Sequence, residues 1–414
     1  MGGTYEGMAG GAVPWKSSTP VDLRIEFMNR VMRGETVAQL CREYGISRKT
    51  ADKFKLRFKQ LGEAGLLDQS RAPKTIPHRT PPELVELIVA ERKRHPSWGP
   101  KKLKEVIEAR LNRVLPAAST VGDILLRAGL VQPRRARRRT PPQPTTLRDA
   151  TAPNDVWCID YKGQFRLGDK SVCYPLTLTD QHTRFILGCE AMTAVSDEEA
   201  REVCEELFGR YGLPKAMRSD NGVPFASNGL ANPTQLSAYW LRLGIELERI
   251  RPAHPEENGR HERMHRTLKA ETTRPPHAHL GAQQRAFDLF RREYNEVRPH
   301  EALGQKPPAS AFALSPRRYP RTLMRFDIDP WDQALRVDKD GYIKWNGEYV
   351  FISTALAHED VELRYDGEDQ KWQVAFGPLL LGWLRESLSG PKFTATRGRM
   401  AEEDLKKVSG MSSD

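Results

Sequence analysis

The sequence lacks the cysteine patterns that hold small secreted domains or zinc sites together. Cys41, Cys158, Cys173, Cys189 and Cys204 are scattered over 414 residues without one Cys-x-x-Cys pair. That odd, dispersed set argues against a disulfide framework and is expected of a reducing compartment. Four of the five fall in stretches that read as buried strand or helix, where free cysteine packs as a small apolar residue. No cysteine–histidine cluster has the spacing of zinc ligands. There is no run of 18 apolar residues and no signal-peptide pattern, so a soluble, cytoplasmic chain with no membrane partner is expected. A GxxxxGK[ST] loop is also missing, which leaves ATP unimplied.

What the sequence has in excess is positive charge. The formal net charge is +11 and the isoelectric point about 9.4, a balance that suits a polyanionic partner. The distribution says more than the total. Residues 132–139 read QPRRARRR, inside a stretch (132–153) with too little apolar surface to fold. This reads as a basic linker, and Arg134, Arg135, Arg137 and Arg138 are expected to track phosphates.

Punctuation divides the remainder. Residues 1–19 and 390–414 are polar or rich in Gly, Ser and Pro, and are expected to be disordered. Residues 20–72 have the layout of a helix-turn-helix. In it a helix from Val37 to Tyr44 is stopped by Gly45, Ile46 plugs the turn, and Ser47 caps a second helix. That helix turns Ala51, Phe54 and Phe58 inward and leaves Arg48, Lys49, Lys53 and Arg57 outward for DNA. Residues 80–131 repeat the theme, with helices opened by Pro81-Pro82, by Trp98-Gly99-Pro100 and by Ser119 or Thr120. Residues 154–315 read as a mixed sheet covered by helices. The strands are DVWCIDYKGQFRL, VCYPLTLTD, RFILGCEAM and KAMRSD, and Ser196 to Glu199 form a capping box for a helix ending at Gly212. Residues 334–388 alternate in strand fashion, with hairpin signals at Asn346-Gly347 and Asp366-Gly367, and suggest a small β-barrel.

Three acids stand out. Asp160 lies in an apolar strand, Asp220 follows another, and Glu262 sits on a helix with Arg266 and Lys269 at i+4 and i+7. Carboxylates converging from separate segments repel unless divalent cations bind between them, and Mg²⁺ held by a few carboxylates serves phosphoryl transfer. Arg266 and Lys269 would hold a phosphodiester backbone against such a centre. Other acids have simpler readings. Asp180 belongs to a hairpin turn, and Asp155 and Asp169 look like surface acids. His254, His261 and His265 flank the glutamate and read as a polar helix face near DNA, and His300 as a packing or loop-orienting residue. No Ser/His/Asp arrangement occurs, nor the tyrosine or serine among arginines that a covalent recombinase needs.

Four motifs, in this order, resemble the DDE transposases of bacterial insertion sequences, whose core is similar to that of retroviral integrases. They are Trp157-x-x-Asp160, Ser219-Asp220-Asn221-Gly222, the run HPEENGRHERMHRTLK and the run YNEVRPHEALG. The resemblance covers roughly residues 30–390. It implies N-terminal helix-turn-helix domains that bind transposon ends, an RNase H-like core and a C-terminal barrel. It puts the catalytic and metal-binding triad on Asp160, Asp220 and Glu262, with separations of 60 and 42 residues (220 − 160 and 262 − 220). Asn221 falls among the DNA contacts. The implied cofactors are two Mg²⁺ or Mn²⁺ ions. The implied partners are double-stranded terminal repeats and target DNA, met by a homo-oligomer. One departure is Pro255-Glu256-Glu257-Asn258-Gly259, where the family usually has Pro-Gln-x-Asn-Gly. It offers Glu256 and Glu257 as alternatives to Glu262. Two other functions stay open: a DNA-binding regulator with a dead core, and a metal nuclease that cuts without joining.

Overall fold

The computed structural model describes residues 19–69, 79–131, 147–220, 222–225, 233–251, 254–367, 369–387 and 390–396, with no side-chain description at 255 and 256. The basic run 132–139 and Asn221 therefore lie outside the described residues, as do most of the two termini.

The chain forms two compact units, 1–79 and 80–414. In the first, helices α1 (Pro20–Met32), α2 (Val37–Glu43) and α3 (Arg48–Leu61) bury Phe27, Met28, Leu40, Cys41, Ala51 and Leu66 together. The turn follows its residues. Gly45 takes φ +61°, and the Ile46 N–H returns to the Cys41 carbonyl. The Ser47 side chain accepts from the Thr50 N–H and starts α3, satisfying one of the amides that a helix start leaves without a partner. Gly65, in the short turn after α3, packs so closely that a Cβ would meet the Arg57 carbonyl at 2.4 Å. Arg48, Lys49 and Lys53 are exposed as expected, while Arg57 is half-buried and lies over Phe54.

The second unit begins with α4 (Pro82–Arg94), α5 (Pro100–Leu111) and α6 (Ala118–Arg127), built around Ile88, Trp98, Leu103, Ile107, Val121 and Leu125. The expected cap of α6 by Ser119 or Thr120 does not form. The helix starts two residues earlier, with Ala117 at its N-cap and no side-chain cap.

A six-stranded mixed sheet follows. Its strands are β1 (Val156–Tyr161), β2 (Phe165–Arg166), β3 (Val172–Asp180), β4 (Ile186–Met192), β5 (Ala216–Ser219) and β6 (Glu246–Arg249). β3 pairs antiparallel with β1, β2 and β4, whereas β1–β5 and β5–β6 are parallel. Helices α7 (Asp197–Tyr211) and α8 (Gln235–Arg242) cover one face. Helices α9 (Gly259–Thr272) and α10 (Leu280–Glu296) cover the other. Strand alternation fixes which side chains meet which helices. Trp157 and Ile159 of β1, and Leu176 and Leu178 of β3, join Phe208 and Trp240 in one core. Cys173, Ile186 and Cys189 pack with Met264, Leu268 and Phe287 in the other. Ser196 caps α7 through the Glu199 N–H, but only that half of the expected capping box forms.

The structure corrects the reading of Asp155 as a surface acid. It is 5% exposed, and its Oδ2 accepts from the Thr151 N–H and hydroxyl at 3.0 Å and from the Ala152 N–H at 2.8 Å. Residues just before a strand must satisfy their turn amides, and a buried carboxylate does this best. Asp180 keeps its turn role. It accepts from the Thr183 N–H at 2.7 Å and from the Asn154 N–H at 2.7 Å. Asp169 is exposed and accepts from Ser171.

Arg298, from the YNEVRPHEALG run, is 4% exposed. Its guanidinium donates to both Glu271 oxygens of α9 at 3.0 Å and to the Ser97 hydroxyl at 2.9 Å. The same group lies over the Trp98 and Tyr294 rings. Thus the turn before α5 is fastened to the C-terminal end of α9. His300 packs on Tyr294 at 4.7 Å between ring centres and bridges to Lys306 through its backbone.

The C-terminal region has β7 (Gln333–Arg336), β8 (Tyr342–Trp345), β9 (Glu348–Phe351), β10 (Asp360–Asp366), β11 (Lys371–Phe376), β12 (Leu379–Arg385) and β13 (Lys392–Ala395). The expected hairpin turns join β8 to β9 and β10 to β11. The strands do not close into a barrel. Five form an open antiparallel sheet, β13-β12-β11-β10-β7, and β8–β9 is a separate hairpin. Their shared core includes Val337, Ile343, Trp345, Val361, Val374 and Phe376. β13 also departs from expectation, since it lies within the polar stretch read as disordered. Phe393 packs against that core, and β12 supplies a ladder for the strand.

Candidate active site

Asp160 is the next-to-last residue of β1, and alternation turns it away from the Trp157–Ile159 core toward α9. Its neighbour across the ladder is Thr177 of β3. Asp220 follows β5 directly, and the Gly222 N–H donates to its Oδ1 at 3.0 Å. A Cβ on Gly222 would stand 3.2 Å from Asp220 Oδ2, so the small residue keeps the carboxylate open. Because β1 and β5 are adjacent and parallel, both aspartates emerge at the same edge of the sheet. Ligands in such sheets bind beyond the carboxyl ends of the strands.

Helix α9 supplies the remaining groups. His261, Met264, His265 and Leu268 are buried against the sheet, while Glu262, Arg266 and Lys269 are exposed. Both other acids act electrostatically on Asp160. The Asp160 carboxyl is pushed up to about 7, first by burial, then by the charge of Asp220, with Glu262 adding to the rise and Lys162 opposing it. A carboxyl raised by burial and by two acids from other segments, against which Lys162 compensates only in part, is in the condition that a bound cation relieves. Oxygen donors of this kind suit Mg²⁺ or Mn²⁺.

Glu257 is committed elsewhere. Its side chain is 2% exposed, with Oε1 2.7 Å from the Arg251 guanidinium and Oε2 accepting from the Arg251 N–H. Glu262, on α9, is an acid whose charge reaches Asp160.

The histidines overturn the expectation of a polar face near DNA. His261 and His265 are each 1% exposed. His261 sits 2.7 Å from the Thr177 hydroxyl through Nε2 and 2.7 Å from the Thr179 hydroxyl through Nδ1. His265 Nε2 is 2.6 Å from the same Thr177 hydroxyl, and its Nδ1 is 3.6 Å from Asp160 Oδ2. Burial, reinforced by the Lys162 charge, holds His261 down at about 3, and burial with the His261 charge pushes His265 lower still. Both rings are therefore neutral. Asp160, His261 and His265 offer ligand atoms within 4.8 Å of one another. Both Nε2 atoms already engage Thr177, so the pair suits support of the carboxylate better than a closed metal cage. The sequence carried a signal for this. Positions 261, 264, 265, 268 and 272 form the buried stripe of α9, and two histidines sit in it. Lys162, whose charge reaches Asp160 and both histidines, is the other group that the sequence reading missed.

Comparison with known proteins gives these features a setting. Residues 150–255 and 243–308 match the Integrase core domain family. Residues 23–74 match a Helix-turn-helix domain and 50–125 a Homeodomain-like domain. An uncharacterized protein of insertion element IS476 from Xanthomonas euvesicatoria is 28% identical over 43% of this chain and 50% of its own length. Another, of insertion element IS407 from Burkholderia multivorans, is 29% identical over 46% of this chain and 66% of its own length. The Gag-Pol polyprotein of baboon endogenous virus is 30% identical over 42% of this chain and 10% of its own length. The chain thus spans about half of the first of these relatives and a tenth of the viral one.

Proposed function

From a chain that resembles insertion-sequence transposases and carries an integrase core domain, we infer a DNA transposase that cuts transposon ends and joins the freed 3′-hydroxyl to target DNA. The observation that carries this reading is the Asp160 carboxyl, pushed up to about 7 with Asp220 and Glu262 among the causes. Asp160, Asp220 and Glu262 are the proposed metal-binding and catalytic residues. Two Mg²⁺ or Mn²⁺ ions bound there would supply activation of the attacking hydroxyl and stabilisation of the leaving oxygen.

The chain's own residues do the rest. Gly222 keeps the Asp220 carboxylate in place through its N–H. Arg266 and Lys269, exposed on the Glu262 face of α9, would clamp the phosphodiester backbone. Arg48, Lys49 and Lys53 on α3, with Arg57 behind them, would read the transposon end in the major groove. Arg134, Arg135, Arg137, Arg138 and Asn221 are proposed contacts on the same DNA. Residues 20–72 and 80–131 would bind ends, 154–315 would hold the chemistry, and 334–388 would form an accessory β region. Joining two ends in the cytosol requires at least two protomers on the DNA.

The test is a cleavage and strand-transfer assay on a labelled end duplex with Mg²⁺ or Mn²⁺. Wild type should give joined products and Glu262→Gln none. Cutting without joining would turn the reading into a nuclease. End binding without any cutting, from both proteins, would turn it into a regulator.

A further inference from the structure

The buried pair on α9 raises a proton-counting question. The Thr177 hydroxyl has one proton and three acceptors in reach. These are the Asp160 main-chain oxygen at 3.1 Å, His261 Nε2 at 2.7 Å and His265 Nε2 at 2.6 Å. A neutral imidazole carries its proton on one nitrogen only, and the other is an acceptor. If Thr177 gives its proton to the Asp160 oxygen or to His261, then His265 must donate from Nε2. Its Nδ1 then turns a bare lone pair toward Asp160 Oδ2. If Thr177 donates to His265 Nε2, the shortest of the three contacts, His265 carries its proton on Nδ1 and offers it to the carboxylate. His261 then donates from Nε2 to Thr177 and accepts at Nδ1 from Thr179. Every donor in that arrangement meets an acceptor. The present 3.6 Å between His265 Nδ1 and Asp160 Oδ2 is longer than a hydrogen bond, so the proposed bond requires the carboxylate to turn toward the ring.

We propose that His265 is a positioning residue for Asp160, with its Nδ1–H tautomer set by Thr177, and that it holds one carboxylate oxygen so that the other faces the metal. The inference rests on Asp160 being a metal ligand. Its physical basis is general: a hydrogen-bond donor behind a ligating carboxylate fixes its orientation, and removing such a partner costs about 10–100-fold in metal affinity.

The experiment is a Mn²⁺ titration of the metal-free full-length chain, read as loss of the free-ion electron paramagnetic resonance signal. His265→Asn keeps an N–H near the Nδ1 position. His265→Gln places its N–H near Nε2, out of reach of Asp160. We expect His265→Gln to weaken Mn²⁺ binding about tenfold or more. His265→Asn should stay within a few-fold of wild type, with end-duplex binding unchanged in both. Thr177→Val, which removes the hydroxyl that sets the tautomer, should weaken Mn²⁺ binding several-fold and serves if His265→Gln does not fold. Wild-type binding by His265→Gln or by Thr177→Val overturns the proposal, and so do equal losses in Asn and Gln. Asp160→Asn is run alongside. If it binds Mn²⁺ like wild type, the metal-site reading itself falls. If it loses binding while His265→Gln does not, only the role of His265 falls.

Discussion

One aspartate stands just before β1 and another near its end, and their surroundings could hardly differ more. Asp155 enters the strand with a full complement of partners: two backbone amides, a hydroxyl and the Lys215 ammonium at 2.8 Å. The lysine and then these donors hold its carboxyl far below the ordinary range. Asp160 leaves the strand with a histidine not yet in bonding reach and two acids among its neighbours, and it is pushed up instead. Four residues of β1 therefore separate a carboxylate that the fold has satisfied from one that it has satisfied less well. The first is what stability selects. The second costs stability in the free chain, the cost that the proposed cation would offset.

Breaking the Asp160 end should have the largest effect. Asp160→Asn, Asp220→Asn or Glu262→Gln should each lower end cleavage by about a thousandfold or more while leaving end binding intact. Full strand transfer by either aspartate variant would remove the basis for the contrast.

Breaking the Asp155 end should register as stability instead. Asp155→Ala removes the acceptor of the Thr151 and Ala152 amides and the partner of the exposed Lys215. It should cost about 1–2 kcal/mol in chemical denaturation, with the metal requirement of the remaining folded enzyme unchanged. A shifted metal requirement would mean that Asp155 belongs to the site after all.

Titration sharpens the comparison, because the two ends have opposite signs. The raised Asp160 gives the folded chain more bound protons than the unfolded one between the ordinary carboxyl value of 3.8 and about 7. Metal-free stability from this group therefore falls as pH rises through that window. The lowered Asp155 contributes stability above the ordinary value that is lost as pH falls below it. Glu362, pushed up to about 7 by burial and by Asp332, adds a slope of the same sign as Asp160. The informative measurement is thus wild type against Asp160→Asn. Without divalent cations at pH 8 the variant should be more stable by about 1–3 kcal/mol, and near pH 4 the two should melt together. A variant no more stable at pH 8 would show that Asp160 carries no electrostatic cost. The smallest effect belongs to Asp169, an exposed acid capping its own turn. Asp169→Asn should leave melting and cleavage superimposable on wild type, and any loss of cleavage would place it nearer the DNA than its exposure implies.

Much of this was readable in the residues because local rules and tertiary packing agreed. Gly45 and Ser47 punctuate the turn before α3, Ser196 starts α7, and the strands around Trp157 and Leu178 alternate as a covered sheet does. Where the reading failed, contacts distant in sequence decided the outcome. Asp155 looks like any polar residue before a strand until Lys215 comes beside it. His261 and His265 read as polar until the buried stripe of α9 is laid against Thr177 and Thr179, about 80 residues away in sequence. The C-terminal strands were legible one by one, but closure depends on edge pairing between β8–β9 and the larger sheet, which alternation within a strand does not encode. The proposed grouping of the three acids was legible only through the order of their motifs, and what bears on it in the fold is that the charges of Asp220 and Glu262 both reach Asp160.

The Arg298 clasp holds the C-terminal end of α9, while His261 and His265 seat its other end on the sheet. Glu271, held by Arg298 and Ser97, lies nine residues after Glu262 on the same unbroken helix, about 13 Å along its axis. A rigid rod transmits displacement. A displacement of the turn before α5 would therefore be passed through Ser97 and Arg298 to Glu271, and along the helix that carries Glu262.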